Sequence, residues 1–201
     1  MEQPVYSAGA ALKRIQASGY AGRTGHPAMY DVLDRVGREF KPESYLEIGV
    51  FDGASLWSLI QAAPTLKRVV LCDIFGQDWR QWSGGPKHGE PPEAIRTVIE
   101  KSGYTGDYQL IIGNSNVEIP KLTETFDVIT VDGDHTYHVA YADVKNAYPL
   151  LRVGGLLVWD DSSRDEMRRI TKELIEPWKM KHLFTLDDGA DTTSVYEKVA
   201  A

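Results

Sequence analysis

The sequence predicts an α/β fold: a mostly parallel sheet of seven strands, helices on both faces, and a C-terminal antiparallel hairpin. Three observations carry that reading. Short apolar runs alternate with longer amphipathic stretches, the pattern of parallel strands joined by crossover helices. Most of those runs are nearly continuous in apolar residues, as strands covered on both faces must be. The C-terminal stretch instead alternates apolar and polar residues on either side of Asp187-Asp188-Gly189, which is a hairpin signal.

The elements follow in order. Residues 5–19 and 27–40 have helical periodicity and are separated by Gly19, Gly22 and Gly25. They are expected to cap the sheet or cover a ligand. Residues 1–42 therefore read as a helical cap and 43–201 as the main body of one structural domain. Strands are expected at 45–50, 68–74, 109–113, 127–132 and 155–159, with helices at 54–63, 92–102, 117–122 and 137–151. Pro64 and Gly103 are stop signals for the first two of these helices. Leu151-Arg152-Val153-Gly154-Gly155 reads as a helix end turning tightly into the fifth strand. An amphipathic helix over 164–178 and hairpin strands over 182–186 and 193–199 complete the chain.

Residues 76–91 resist assignment, because their glycines and prolines forbid a regular element. Long loops inside compact domains are usually functional or disordered, and two tryptophans weaken the second choice. Trp79, Trp82 and His88 are candidates for a lid or a stacking surface for a substrate ring or sugar. A homodimer contact is the equal alternative.

Composition bounds the partners. A chain of 201 residues supports one sizeable core. Its 22 Lys and Arg against 29 Asp and Glu give a formal charge of −7, which argues against nucleic acid as the main partner. The single cysteine, Cys72, lies in an apolar run and reads as packing; it cannot form an intramolecular disulfide or a Cys-rich zinc site. Met1-Glu2-Gln3-Pro4 lacks the basic-then-apolar pattern of a signal peptide, and no apolar run is long enough to span a bilayer. A cytoplasmic enzyme with no membrane partner is the expectation.

The strand ends carry the chemistry. The first ends Glu47-Ile48-Gly49-Val50-Phe51-Asp52-Gly53, where Gly49 and Gly53 let the backbone turn into a helix and leave room for a ligand. This spacing differs from the Gly-x-Gly-x-x-Gly that cradles a pyrophosphate. Glu47 would be the carboxylate for a ligand that carries a cationic amino group and no pyrophosphate. The second ends at Asp73, with Ile74 beside it, where a carboxylate accepts hydrogen bonds from a ribose diol. The third ends at Asn114 and Ser115, polar groups placed for an adenine. Together they point to a nucleoside in the cleft outside the strand ends.

These segments, with Asp132-Gly133-Asp134-His135 and residues 154–161, resemble the successive motifs of class I S-adenosylmethionine (SAM)-dependent methyltransferases, which have a Rossmann-like fold. Val131-Asp132-Gly133-Asp134-His135-Thr136-Tyr137 and Val158-Trp159-Asp160-Asp161 are similar to a bacterial branch that includes sugar O-methyltransferases. That branch is itself similar to the metal-dependent catechol O-methyltransferases. Phe51 departs from the common pattern, standing where many methyltransferases have a third glycine, and it narrows the loop. The resemblance implies SAM as cofactor and a small-molecule hydroxyl as acceptor.

An alcohol is too weakly acidic to attack at neutral pH, so its anion needs stabilising, which a divalent metal does. The candidate ligands are Asp132, Asp160 and Asp161 at two strand ends. Neighbouring strands lie about 4.8 Å apart and Mg²⁺–O distances are about 2.1 Å, so such carboxylates can meet at one Mg²⁺ or Mn²⁺. The alternative for Asp161 is a cap on the following helix. By resemblance the three fall where catechol-type enzymes place two aspartates and an asparagine. His135 is the candidate base or substrate contact: histidine's ordinary pKa of about 6.5 suits proton abstraction near neutrality. By resemblance it stands where those enzymes carry a lysine. The rival readings are a metal-free methyltransferase using His135 alone, and a SAM- or nucleoside-binding module without chemistry.

Overall fold

The computed structural model describes residues 9–17, 27–75, 91–190 and 192–200. Within them the sheet has seven strands: β1 (Ser44–Ile48), β2 (Arg68–Asp73), β3 (Asp107–Ile112), β4 (Phe126–Val131), β5 (Leu151–Trp159), β6 (Lys181–Asp187) and β7 (Thr192–Glu197). Their order is β3-β2-β1-β4-β5-β7-β6. The first five run parallel, and β7 inserts antiparallel between β5 and β6.

Side chains alternate across the sheet, so each central strand feeds two cores. Tyr45, Val69, Val128 and Leu156 face one. Their neighbours Leu46, Val70, Ile129 and Leu157 face the other. All eight are buried, each stabilising the fold by roughly 1.5–3 kcal/mol through the apolar area it removes from water. Helices α1 (Ala10–Ala17), α2 (Pro27–Phe40), α3 (Ala54–Ala62) and α4 (Pro92–Lys101) contribute to the first core. The short α5 (Ser115–Glu118), α6 (Tyr137–Ala147) and α7 (Asp165–Ile170) lie toward the second.

The α2–α3 crossing is close because Gly37 faces Ala62; a Cβ at Gly37 would stand 2.6 Å from that of Ala62. The N-terminus of α1 is held from outside itself. Asp31 of α2 accepts the backbone N–H of Gly9 at 2.5 Å and of Ala11 at 2.7 Å, doing in trans what a capping side chain does locally.

Within the described residues the expected strands are present with shifted ends. The helix expected over 117–122 is the four-residue α5 followed by a 3-10 turn over Ile119–Lys121. Residues 5–8, 18 and 19 of the first expected helix lie outside the described residues. β5 begins at Leu151, so Leu151-Arg152-Val153 is strand rather than a helix end. Leu151 pairs with Phe126, and the register then slips before Val128, which absorbs the extra residues. The helix expected over 164–178 is α7 followed by a π-helical turn over Thr171–Ile175. That stretch places the Thr171 hydroxyl 3.2 Å from the indole N–H of buried Trp159. No helix among the described residues is long and apolar enough to cross a membrane.

Candidate active site

The strand order reverses between β1 and β4, and the crevice outside the carboxyl ends at such a switch point is where ligands bind. A cleft of about 620 Å³ opens there. Of the residues singled out from sequence, Gly49, Phe51, Asp73, Ile74, Asn114, Ser115, Asp132 and His135 line it. Glu47, Gly53, Asp160 and Asp161 stand behind its wall. Trp79, Trp82 and His88 lie outside the described residues.

Gly49 is dictated by its position. Its φ is +85°, and a Cβ there would lie 1.9 Å from the carbonyl oxygen of Asp132. The β1 and β4 loops touch backbone to backbone, joined by the Asp132 N–H donating to the Ile48 carbonyl at 2.8 Å. Asp73 braces the other side of the same loop. Its Oδ2 accepts the N–H of Val50 at 2.6 Å and of Phe51 at 3.0 Å, and its Oδ1 accepts that of Phe75 at 2.9 Å. With this loop so held, Phe51 sits at φ +52° and is 38% exposed at the cleft. Asn114 turns its side chain back onto its own helix, accepting the N–H of Asn116 at 2.9 Å.

Glu47 departs from expectation. It is fully buried under the floor, accepts the Ser55 hydroxyl through Oε1, and has no described partner at Oε2. Burial pushes its carboxyl up to about 8. The cleft wall instead presents Asp52 and Ser55 from this segment, and Met29 and Tyr30 from α2. Cys72, fully buried, also borders the cleft, and burial pushes its thiol up to about 12.

The acidic group lies across the ends of β4 and β5. Asp132 is half-buried, and its carboxyl is pushed well above the usual range, first by burial and then by the facing Asp160. Asp160 is buried. Its Oδ1 accepts the Thr193 hydroxyl at 2.5 Å, while its Oδ2 has no described partner. Asp161, at φ +50°, places Oδ2 3.0 Å from His135 Nδ1 and 2.9 Å from the Arg164 guanidinium. His135 Nε2 is 3.8 Å from Asp132 Oδ1. The capping alternative for Asp161 does not hold, since α7 has Arg164 at its N-cap and no side-chain cap bond.

These are hard oxygen donors of the kind Mg²⁺ or Mn²⁺ takes, and the orphaned Asp160 oxygen beside Asp132 fits a cation. As the side chains stand, no three His, Cys, Asp or Glu among the described residues converge as a metal cluster, because Asp161 is turned to His135 and Arg164.

Several participants were not visible in the sequence. Thr193 reaches Asp160 only because β7 pairs with β5, opposing Ser194 to Trp159. Asp143 of α6 is buried, and burial pushes its carboxyl up to about 7. Neither of its carboxylate oxygens has a described hydrogen-bond partner, and its Oδ2 lies 3.2 Å from where a Cβ on Gly133 would be. His138 and His182 lie away from the cleft; the latter faces Thr185 on the surface at 2.9 Å.

Residues 46–162, more than half of the chain, match the model of a family described as a methyltransferase domain. An uncharacterised protein of Acanthamoeba polyphaga mimivirus is 28% identical over 70% of this chain and 61% of its own length. Catechol O-methyltransferase B of Danio rerio is 27% identical over 65% of this chain and 46% of its own. The chain thus spans about half to three-fifths of the curated relatives it matches. Among solved structures, the O-methyltransferase TomG of Streptomyces achromogenes, involved in tomaymycin synthesis and in complex with SAM, superposes with a TM-score of 0.67. That match is 17% identical and covers 98% of this chain and 93% of the other, which shows a shared fold.

Proposed function

The chain belongs to the methyltransferase-domain family, and on that premise we propose that it moves a methyl group from SAM to a hydroxyl of a small molecule, assisted by a divalent metal. The observation that carries this reading is His135 on the cleft wall with its Nδ1 3.0 Å from the buried Asp161 carboxylate. With Nδ1 turned to that carboxylate, Nε2 is the ring nitrogen that serves to take the acceptor's proton.

SAM supplies an electrophilic methyl on a sulfonium sulfur, which leaves with the electrons of the broken C–S bond. The acceptor hydroxyl gives its proton to His135 Nε2 as its oxygen forms the new O–C bond. Asp161 orients the imidazole and stabilises the imidazolium that results, in the way a buried carboxylate serves a catalytic histidine. Asp73 and Gly49 shape the wall against which the nucleoside and methionyl parts would lie, and Asn114 and Ser115 would stand beside the adenine. A bound Mg²⁺ or Mn²⁺ would be held by Asp132 and Asp160, with Asp161 as third donor, and would supply Lewis acidity at the acceptor oxygen.

The second reading, metal-free transfer through His135 alone, is favoured by the engagement of Asp161 with His135 and Arg164. One calorimetric series separates them: chelator-stripped protein is titrated with SAM, then with a panel of hydroxylated acceptors, with and without Mg²⁺. Saturable SAM binding with acceptor heat only in Mg²⁺ is the expected result. Acceptor heat that ignores Mg²⁺ selects the metal-free reading, and absence of SAM binding overturns both.

A further inference from the structure

We propose that Arg164 is an internal counter-ion that holds Asp161 until a divalent cation displaces it, so that metal entry and guanidinium release are one exchange. The inference rests on the metal-assisted reading above.

Three carboxylates lie at the ends of β4 and β5, and they are not equivalent. Asp160 is fixed through the Thr193 hydroxyl at one oxygen and is orphaned at the other. Asp132 faces it from the cleft wall. Asp161 is the one beside a guanidinium, its Oδ2 lying 2.9 Å from Arg164, while His135 stands 3.0 Å from Asp161 and 3.8 Å from Asp132. Acids this close repel strongly unless a positive charge stands among them. A guanidinium is permanently charged and serves that purpose in the absence of metal.

The exposures show which partner can leave. The Asp161 side chain is 2% exposed and that of Arg164 is 51% exposed. Asp161 cannot relax into water, whereas Arg164 can swing into solvent by side-chain rotation alone. The backbone need not move, since the Arg164 N–H stays bonded to the Asp161 carbonyl at 2.9 Å in the turn before α7. A divalent ion brings twice the charge of a guanidinium and a compact oxygen-seeking shell. An ion drawn to Asp161 Oδ2 competes with the guanidinium for that oxygen, so binding there carries the free-energy cost of weakening the pair.

The test measures metal affinity without catalysis. Chelator-stripped wild type, Arg164→Met, Arg164→Lys and Arg168→Met are titrated with Mn²⁺, read by calorimetry and by the paramagnetic resonance of free Mn²⁺. Arg168→Met removes a neighbouring surface charge that pairs with Asp165, not Asp161. Arg164→Met should bind Mn²⁺ roughly tenfold more tightly than wild type, Arg164→Lys should fall between them, and Arg168→Met should match wild type. Equal or weaker binding by Arg164→Met, or the same gain in Arg168→Met, overturns the exchange and leaves the metal reading standing. No Mn²⁺ binding by any of the four overturns both.

Discussion

Glu47 shows how one buried acid shapes pH dependence. Its carboxyl titrates at about 8 in the folded protein against an ordinary value of 4.5, because burial penalises the anion more than the Ser55 hydroxyl supports it. Between those two values the folded chain holds a proton that the unfolded chain has released. This contribution to stability is therefore complete below about pH 4.5 and is lost as pH rises toward 8. Glu47→Gln keeps the shape and cannot titrate, so its stability relative to wild type should improve between about pH 5 and 8.5. Thermal midpoints taken across that range check this; parallel curves for the two proteins would contradict it. The sequence exposes Glu47 as an acid at a strand end, but not which way it turns. A strand residue's face depends on register with its neighbours, and a one-residue difference exchanges cleft for floor.

At the scale of elements, the two N-terminal helices depend on one another through Asp31. That carboxylate satisfies two backbone donors at the start of α1, and the 8 described residues of α1 are too few to be stable by themselves. Asp31→Ala should cost about 1–2 kcal/mol and free α1 before the sheet unfolds. Hydrogen exchange would show protection lost first over residues 10–17; uniform loss across the domain would contradict the local account. The helical periodicity of these segments is legible in sequence, as are all seven strands. The capping partner is not, because it lies on another helix. Strand ends fail for a related reason. Leu151-Arg152-Val153 follows a helix and precedes two glycines, local signals of a turn, yet pairing with β4 draws Leu151 into the sheet. The π-helical turn after α7 is equally invisible, having no composition of its own.

At the scale of the whole molecule, the C-terminal hairpin and α2 meet at the cleft. The hairpin that closes the sheet sends Thr193 to Asp160, and Asp188 near its turn accepts the Ala28 N–H at 3.0 Å at the start of α2, whose Met29 and Tyr30 line the cleft. Thr193→Val keeps the volume and removes the hydroxyl. It should leave the second Asp160 oxygen unpaired and cost about 1–3 kcal/mol, with Thr193→Ser recovering most of the loss; denaturant midpoints measure both. Identical stability for Val and wild type would mean that the contact is not formed in solution. The acids, the histidine and the glycine turn of the site were legible because strand-end motifs are contiguous. Thr193, Asp143, Met29 and Tyr30 were not, since only the fold makes them neighbours.

Cys72, finally, gives the chain a practical property. As the only cysteine in 201 residues, fully buried and with a thiol pushed up to about 12, it stays protonated and out of reach of alkylating reagents near neutral pH. The native chain should therefore be silent toward maleimide dyes, which its intact mass after dye treatment checks. A cysteine placed on an exposed position can then be labelled selectively with Cys72 left in its native packing.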